Sequence, residues 1–305
     1  MSPIVLRREL IDEGVPHRAI LQMLSSGALE RVRHGAYVDG ATWRASDEMT
    51  RHRLRARAVL RQARTPVTLS HLSALAEWDV ALWDVDLTTV DLTRLDRRAG
   101  RHEAGVRQHH GRLPADEVVH LNGIAVTTAA RAAVESLQVL DVERGLVAVN
   151  DILHRRLATA EQLGQVRQRM DHWPHSLTAD LVLRLAEPAC ESAGESRVLF
   201  VCWKQRLPFP TAQYAVYDRF GRFLGRVDFA WPEHRLFLEF DGKVKYEGLL
   251  RPGESASDVV VREKRREERI VEAMGWRCMR VTWSDLSHPE RLAGRIRSLI
   301  AAQAS

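Results

Sequence analysis

The segment at residues 226–243, RVDFAWPEHRLFLEFDGK, limits the possible folds most strongly. Apolar side chains fill two short runs on either side of Pro232–His234, which predicts two strands joined by a tight turn. Successive side chains of a strand point to opposite faces, so Glu239 and Asp241 share one face of the second strand. Asp228 on the first strand can reach Glu239 across the ladder. The sequence therefore predicts a hairpin with three carboxylates close together.

Crowded carboxylates on half-buried strands repel one another and lose hydration. Mg²⁺ or Mn²⁺ would relieve both costs, because a hard divalent cation binds one or two carboxylates and leaves room for phosphate oxygens. We expect Asp228 and Glu239 to bind this metal, which would polarise a phosphodiester and activate water beside a lysine. Lys243 reaches the acidic face if the strand continues through Gly242, and Lys264 replaces it if the chain turns there. The alternative is an edge hairpin whose acids face solvent.

A charged run without interruption extends from Arg262 to Arg269, inside a segment that is predicted to be helical. Such a run has no apolar face that could dock on a core. One interpretation is a solvated helix stabilised by ion pairs between residues four apart. The other is a helix across the mouth of the acidic site, where Lys264, Arg265 and Arg266 would contact a polyanion.

The first forty residues predict two short helices followed by a small basic hairpin. The apolar residues expected to point inward are Val5, Leu6, Leu10 and Ile11 in the first helix and Ile20, Leu21 and Leu24 in the second. His34 and Gly35 form a turn between two alternating runs, which is typical of a hairpin. This order is the outline of a winged helix-turn-helix.

The winged helix-turn-helix predicts a nucleic-acid interface. His17, Arg18 and Gln22 of the second helix would enter a major groove, and Arg31 and Arg33 of the wing would lie near phosphates. The alternatives are a small helical cap with solvated arginines, or a module that docks proteins. The formal net charge of +5 is compatible with nucleic acid without requiring it.

Length and composition narrow the class of protein. A chain of 305 residues can form two or three domains, each with its own core. Its three cysteines are widely spaced, which supports neither a disulfide framework nor a zinc site. Apolar runs are too short for a membrane span or a signal peptide, so we expect a cytoplasmic protein without a membrane partner.

The middle of the chain, residues 46–190, alternates predicted helices and strands without a chemical signature. His109 and His110 could be metal ligands, but adjacent residues on a strand point to opposite faces. We therefore expect both to be surface histidines beside Arg107 and Arg112.

The order of elements after residue 190 adds a resemblance to a known family. A helix with GESRVLF, strands with GRVDFAW and LFLEFDGK, a helix with REKRREERIVEAMGW and a strand with RCMRVTW follow one another. This order resembles the PD-(D/E)XK nuclease superfamily, specifically the branch similar to very-short-patch repair endonucleases, over residues 190–303. The resemblance implies Asp228 and Glu239 as metal ligands and Glu195 as a helix acid near the metal.

One position departs from the pattern of that superfamily. Asp241 stands where many members have the lysine of the ExK motif. Asp241 would therefore belong to the catalytic group together with one of the nearby lysines, Lys243, Lys245 or Lys264. If none of them reaches the metal, the site would be catalytically weak.

The N-terminal sequence GALERVRHGAYV resembles the winged-helix domain of type IV (AbiEi-type) abortive-infection antitoxins. The resemblance extends over residues 3–180, so that the middle region would follow the C-terminal part of that family. It implies a DNA-binding module and a toxin or other protein as partner.

The sequence therefore predicts a mixed α/β (α+β) protein. A winged helix-turn-helix would occupy residues 1–45, an antitoxin-like middle α/β domain residues 46–189, and a restriction-endonuclease-like α/β domain with a central mixed sheet residues 190–305. The leading hypothesis is a metal-dependent DNA endonuclease guided by the winged helix. The alternative is a non-catalytic DNA-binding transcriptional regulator or antitoxin with a decayed nuclease fold.

Overall fold

The computed structural model describes residues 3–96, 100–171, 173–242 and 268–302. The chain forms two compact units. The first consists of Met1–Arg144 and Leu157–Asp180, and the second of Gly145–Arg156 and Leu181–Ser305. Helices and sheets occur in both, which confirms the predicted mixed α/β (α+β) class. The predicted domain limits at residues 45 and 189 stay a prediction.

The first unit begins with the predicted winged outline. Its elements are β1 (Ile4–Leu6), α1 (Arg7–Asp12), α2 (His17–Ser25), β2 (Leu29–Arg33), β3 (Ala36–Asp39) and α3 (Gly40–Ala45). The strands form an antiparallel sheet in the order β1-β3-β2. Gly35 turns the chain between β2 and β3 with a φ of +71°, a conformation that glycine adopts without steric cost. The predicted basic hairpin is therefore confirmed.

The first helices differ from the prediction in two respects. Val5 and Leu6 lie in β1 and pair with β3, because a short apolar run fits the period of a strand as well as a helical face. Ile11 and Leu21, predicted to point inward, are 47% and 48% exposed. Ile20 is the buried residue of α2, and α1 buries none of its own.

The rest of the first unit surrounds a six-stranded mixed sheet in the order β6-β7-β5-β4-β9-β8. The next elements along the chain are α4 (Glu48–Gln62), β4 (Val67–Leu69), α5 (His71–Glu77), β5 (Val90–Arg94), β6 (Arg101–Glu103), β7 (Val106–His109), β8 (Val118–Leu121), β9 (Ile124–Thr127), α6 (Ala129–Ser136), α7 (Val142–His154), α8 (Ala160–Arg169) and α9 (Ser176–Leu185). Most of α7 and the second half of α9 belong to the second unit. A short 3-10 helix, Ala115–Glu117, precedes β8.

Helix α4 joins the two sheets of this unit through different faces. Leu54 and Ala58 belong to the apolar cluster of the winged sheet, together with Ile4 and Leu6. Ala56 and Val59 belong instead to the cluster over the six-stranded sheet. The winged part therefore shares its core with the helix that follows it, and cutting the chain near residue 45 would expose that core.

The second unit is built on a four-stranded sheet in the order β10-β11-β12-β13. Its further elements are α10 (Ala193–Lys204), β10 (Thr211–Tyr217), β11 (Phe223–Trp231), β12 (Leu236–Asp241), β13 (Arg277–Thr282), α11 (Trp283–Leu286) and α12 (Pro289–Ala301). The first three strands are antiparallel and β13 runs parallel to β12, so the predicted hairpin and central mixed sheet are confirmed. Phe229 and Phe237 are fully buried in it.

The predicted end of the charged helix is also confirmed. Residues 268–274 are helical, and Gly275 follows with a φ of +60°. Met279 and Val281 of β13 are buried, as the sequence predicts. Within the part of the chain that the structure describes, no helix has the length and apolar character needed to cross a membrane.

Replacing Leu54 by alanine tests the shared core of α4. Leu54 is 5% exposed, so its loss should remove apolar contacts and leave a cavity, lowering the free energy of unfolding by about 2–5 kcal/mol. Leu177→Ala is the matched control, because Leu177 is 82% exposed and its truncation should change stability by about 0.5 kcal/mol or less. Urea denaturation measures both, and equal effects of the two substitutions would contradict the packing described.

Candidate nucleic-acid interface

Helix α2 presents a polar face to solvent. Ile20 is 1% exposed and fixes the rotation of the helix on the winged sheet. His17, Arg18 and Gln22 are exposed, and residues four apart lie above one another on a helix. The structure therefore brings these three predicted residues onto one accessible surface, which we call the α2 face.

The two predicted arginines of the wing have different surroundings. Arg31 on β2 is exposed. Arg33 is half-buried, and its guanidinium donates a hydrogen bond to the carbonyl oxygen of Ala104 at 3.2 Å. Arg31 is therefore the wing cation available to a phosphate, while Arg33 fastens the hairpin to the loop between β6 and β7.

The chemistry of the α2 face suits the edges of base pairs. An arginine can donate two hydrogen bonds to guanine, and a glutamine can pair with adenine in the same way. Leu21 lies among the polar residues and is 48% exposed, which gives the face an apolar contact as well. An arginine on the wing would add attraction to phosphate without reading sequence.

Two acids of the predicted site in the second unit, Glu195 and Asp228, accept hydrogen bonds from the protein itself. Glu195, 6% exposed near the start of α10, accepts hydrogen bonds from the Ser192 hydroxyl at 2.6 Å and the Glu191 N–H at 2.9 Å. Gln213 donates a third at 3.2 Å. Ser192 caps the same helix through the Glu195 N–H. These contacts hold the Glu195 carboxylate at the beginning of the helix.

Asp228 and Glu239 lie on the neighbouring strands β11 and β12. The Asp228 carboxylate is half-buried and accepts a hydrogen bond from the N–H of Phe240 at 2.7 Å. Glu239 is opposite Arg280 in the parallel register, and Asp241 is opposite Thr282. An arginine at that position can neutralise an acid on the same face of the sheet.

Metal binding by these acids stays a prediction. Among the described residues, no group of three or more histidines, cysteines, aspartates or glutamates is assembled to hold a metal ion. Lys243 and the predicted helix residues Lys264, Arg265 and Arg266 lie outside the described residues. The predicted Mg²⁺ or Mn²⁺ site, and the roles assigned to Asp228, Glu239, Asp241 and Glu195, therefore remain expectations.

A buried ionic network in the first unit has no counterpart in the sequence prediction. Arg131 on α6 is 2% exposed and donates to Glu135 and to Glu117, both at 2.7 Å. Arg169 on α8 donates to the other oxygen of Glu117 at 2.8 Å. Burial raises the pKa of Glu135, and the adjacent guanidinium of Arg131 opposes that effect. The sequence held one sign of this network: an arginine and a glutamate four residues apart in the alanine-rich stretch AARAAVES, which indicates an ion pair on a helix.

His109 is not the surface histidine that the sequence predicts. Its ring stacks on that of His71, with centroids 3.5 Å apart, and its Nε2 lies 2.8 Å from Asp91. The cause is the parallel pairing of β5 with β7, which brings the buried Asp91 beside the histidine. His110, the next residue, is exposed as expected.

The pH dependence of stability tests the burial of His71. Burial lowers the pKa of His71 well below its ordinary value, and the neighbouring His109 acts in the same direction, against the attraction of Asp91. Below pH 6.5, about the pKa of histidine in an unfolded chain, His71 therefore binds a proton in the unfolded protein but stays neutral in the folded protein. Stability should fall with decreasing pH, by at most about 1.4 kcal/mol per pH unit for one such group.

Urea denaturation between pH 7.5 and 5.5 measures this dependence. His71→Asn should reduce it, because asparagine does not titrate and tolerates the left-handed backbone of residue 71, whose φ is +49°. A remaining part is expected from His52, whose pKa burial also lowers. His110→Asn should leave the dependence unchanged. An unaltered dependence in His71→Asn would contradict the burial of a neutral imidazole.

The beginning of the chain is similar to a known family. Residues 2–38 match the family model described as "Transcriptional regulator, AbiEi antitoxin". This stretch contains β1, α1, α2 and β2 and reaches Val38 in β3. The match supports the winged-helix, antitoxin part of the prediction.

Two relatives and one solved structure cover more of the chain. The uncharacterized proteins MT2308 and Rv2248 of Mycobacterium tuberculosis strains CDC 1551 and H37Rv are each 29% identical over 177 residues, or 58% of this chain. The chain spans 62% of the length of these curated relatives. The crystal structure of the RV2827C protein from the same species matches 70% of this chain and 83% of its own, with a TM-score of 0.38 and 13% identity. The predicted endonuclease family gains no support from these matches.

Proposed function

We propose that the protein is a DNA-binding transcriptional regulator of the antitoxin kind, with α2 as its recognition helix. The observation that carries the proposal is the α2 face, His17, Arg18 and Gln22, which is exposed within the stretch that matches the antitoxin regulator family. A helix that presents such residues can enter the major groove, about 12 Å wide, and contact base edges.

Each polar residue of the α2 face has a distinct expected role. Arg18 would donate two hydrogen bonds to one guanine, and Gln22, one turn further along, would pair with an adenine. His17 lies in the first turn of α2, where exposed backbone N–H groups favour a phosphate. Leu21 between them would contact a thymine methyl group.

The wing would supply attraction that does not depend on sequence. Arg31 is exposed on β2 and would lie against a phosphate. Arg33 would not contact DNA itself. Its hydrogen bond to Ala104 would hold the hairpin in position. A toxin or other protein partner, which the antitoxin resemblance implies, stays a prediction.

The arrangement of the predicted nuclease acids favours a regulator over an enzyme. Both oxygens of Glu195 accept hydrogen bonds at the start of α10, and Asp228 accepts one from the backbone of β12. Carboxylates used in this way stabilise the second unit without a metal ion, because charge-assisted hydrogen bonds satisfy them locally. A metal ion bound by these acids would have to share their oxygens with the hydrogen-bond donors.

Substitutions on the α2 face test the recognition role. A duplex selected by the protein from a random library serves as the ligand in fluorescence anisotropy. Gln22→Ala and Arg18→Ala should each weaken binding to it by about 1–3 kcal/mol, and each should relax preference at one base pair. Arg31→Ala should weaken binding to all duplexes by the same factor, whatever their sequence. It should also reduce the slope of log Kd against log salt concentration by about one.

Arg184→Ala is the matched control, because Arg184 is an exposed arginine of the second unit. It should bind the selected duplex like the wild-type protein. Unchanged affinity in Arg18→Ala and Gln22→Ala, with both variants folded, would exclude α2 as the recognition helix.

A cleavage assay separates the regulator from the nuclease. With single- or double-stranded DNA and Mg²⁺ or Mn²⁺, the wild-type protein should give no product beyond that of Glu239→Gln and Asp228→Asn. Binding of the selected duplex is measured in the same samples. Divalent-dependent product from the wild-type protein that both substitutions remove would restore the endonuclease hypothesis.

A further inference from the structure

We propose that the first unit binds a small organic phosphate of nucleotide size in a cavity beside the buried ionic network. The cavity has a volume of about 790 Å³, and the lining residues that matter are His110, Arg112, Arg131, Gln138, Arg169 and Trp173. Cavities of several hundred Å³ hold small organic ligands. This cavity is larger than a free phosphate requires. The proposal is independent of the DNA-binding role.

Guanidinium groups dominate the polar lining. Three arginines line the cavity, Arg112, Arg131 and Arg169, against the single acid Asp116. Arg131 and Arg169 are paired with Glu117, whereas Arg112 and His110 are exposed and make no hydrogen bond or ion pair in the part of the chain that the structure describes. Arg112 is therefore the guanidinium that can bind a phosphate in bidentate fashion.

Gln138 carries a hydrogen-bond donor at the edge of the cavity. The Nε2 atom of Gln138 is buried and lacks a hydrogen-bond acceptor among the described residues. Gln138 lines the cavity, and its amide has to turn toward it to donate to a ligand. A buried polar group without a partner costs about 1–3 kcal/mol, so an acceptor for this amide would stabilise the folded protein. Phosphate and ribose oxygens are acceptors of the required kind.

An aromatic wall favours an organic ligand over an inorganic ion. The guanidinium of Arg131 lies 5.0 Å from the centroid of the Trp173 ring. Gly111 passes the edge of the same ring so closely that an added Cβ would lie 3.2 Å from two ring carbons. Pro114 and Pro174 continue the apolar lining. A ring held in this way gives a planar base an ordered surface to contact.

Isothermal titration of the full-length protein, without DNA, tests the proposal. The probes are AMP, inorganic phosphate and adenosine, each at equal concentration. AMP should bind and raise the Tm, with phosphate and adenosine at least about tenfold weaker, because each offers only half of the contacts. Arg112→Gln and Gln138→Leu should each weaken AMP binding about tenfold.

Arg64→Gln is the control, since Arg64 is an exposed arginine of the same unit that does not line the cavity. It should bind AMP like the wild-type protein. Each variant is first shown by circular dichroism to be folded without ligand. The proposal is overturned if AMP does not bind, if Arg112→Gln and Gln138→Leu both bind AMP normally, or if either half of the ligand binds as tightly as AMP.

Discussion

Arg131 lies between two carboxylates inside the first unit, and much of that unit is arranged around its guanidinium. Its partners are Glu135 on the same helix and Glu117 just before β8, both almost inaccessible to solvent. Glu117 also binds Arg169 of α8, and Glu135 accepts a weaker hydrogen bond from the N–H of His71 at 3.4 Å. Removing one member would leave an uncompensated buried charge, which costs about 3–5 kcal/mol.

The winged part is attached to the rest of this unit through apolar contacts of α4, an ion pair between Arg61 and Glu9 and the hydrogen bond from Arg33 to Ala104. The ionic network around Arg131 takes no part in this attachment. Helix α4 contributes to the core of the winged sheet with one face and to the core of the six-stranded sheet with another. The contacts of α2 use Ile20, which leaves its opposite face to solvent. The fold thus explains both why the winged part is held firmly and why the α2 face is accessible.

The sequence predicts the helices and strands better than it predicts which of them pack or pair together. The alternating runs around Gly35 and around Pro232–His234 indicated both hairpins, because turn residues and strand periodicity are local signals. The strand of Val5 and Leu6 was predicted as helix, since three apolar residues cannot distinguish the two periods.

Buried polar groups were the harder part to predict. His109 was predicted to be exposed, because its partner Asp91 lies on a strand that only the parallel pairing of β5 with β7 brings close. Glu117 and Arg131 are fourteen positions apart, and their pairing depends on how α6 packs. The sequence placed His17, Arg18 and Gln22 on an accessible surface, but it also predicted that Leu21 points inward, and Leu21 is exposed on the same face of α2.

Hydrogen–deuterium exchange of the full chain, with and without a selected DNA duplex, tests the central claim most directly. If α2 is the recognition helix, peptides from residues 17–25 and 29–39 should gain protection at saturating DNA, because contact with the duplex excludes solvent and suppresses local opening. Protection confined to residues 223–241, with residues 17–25 unchanged, would contradict the account.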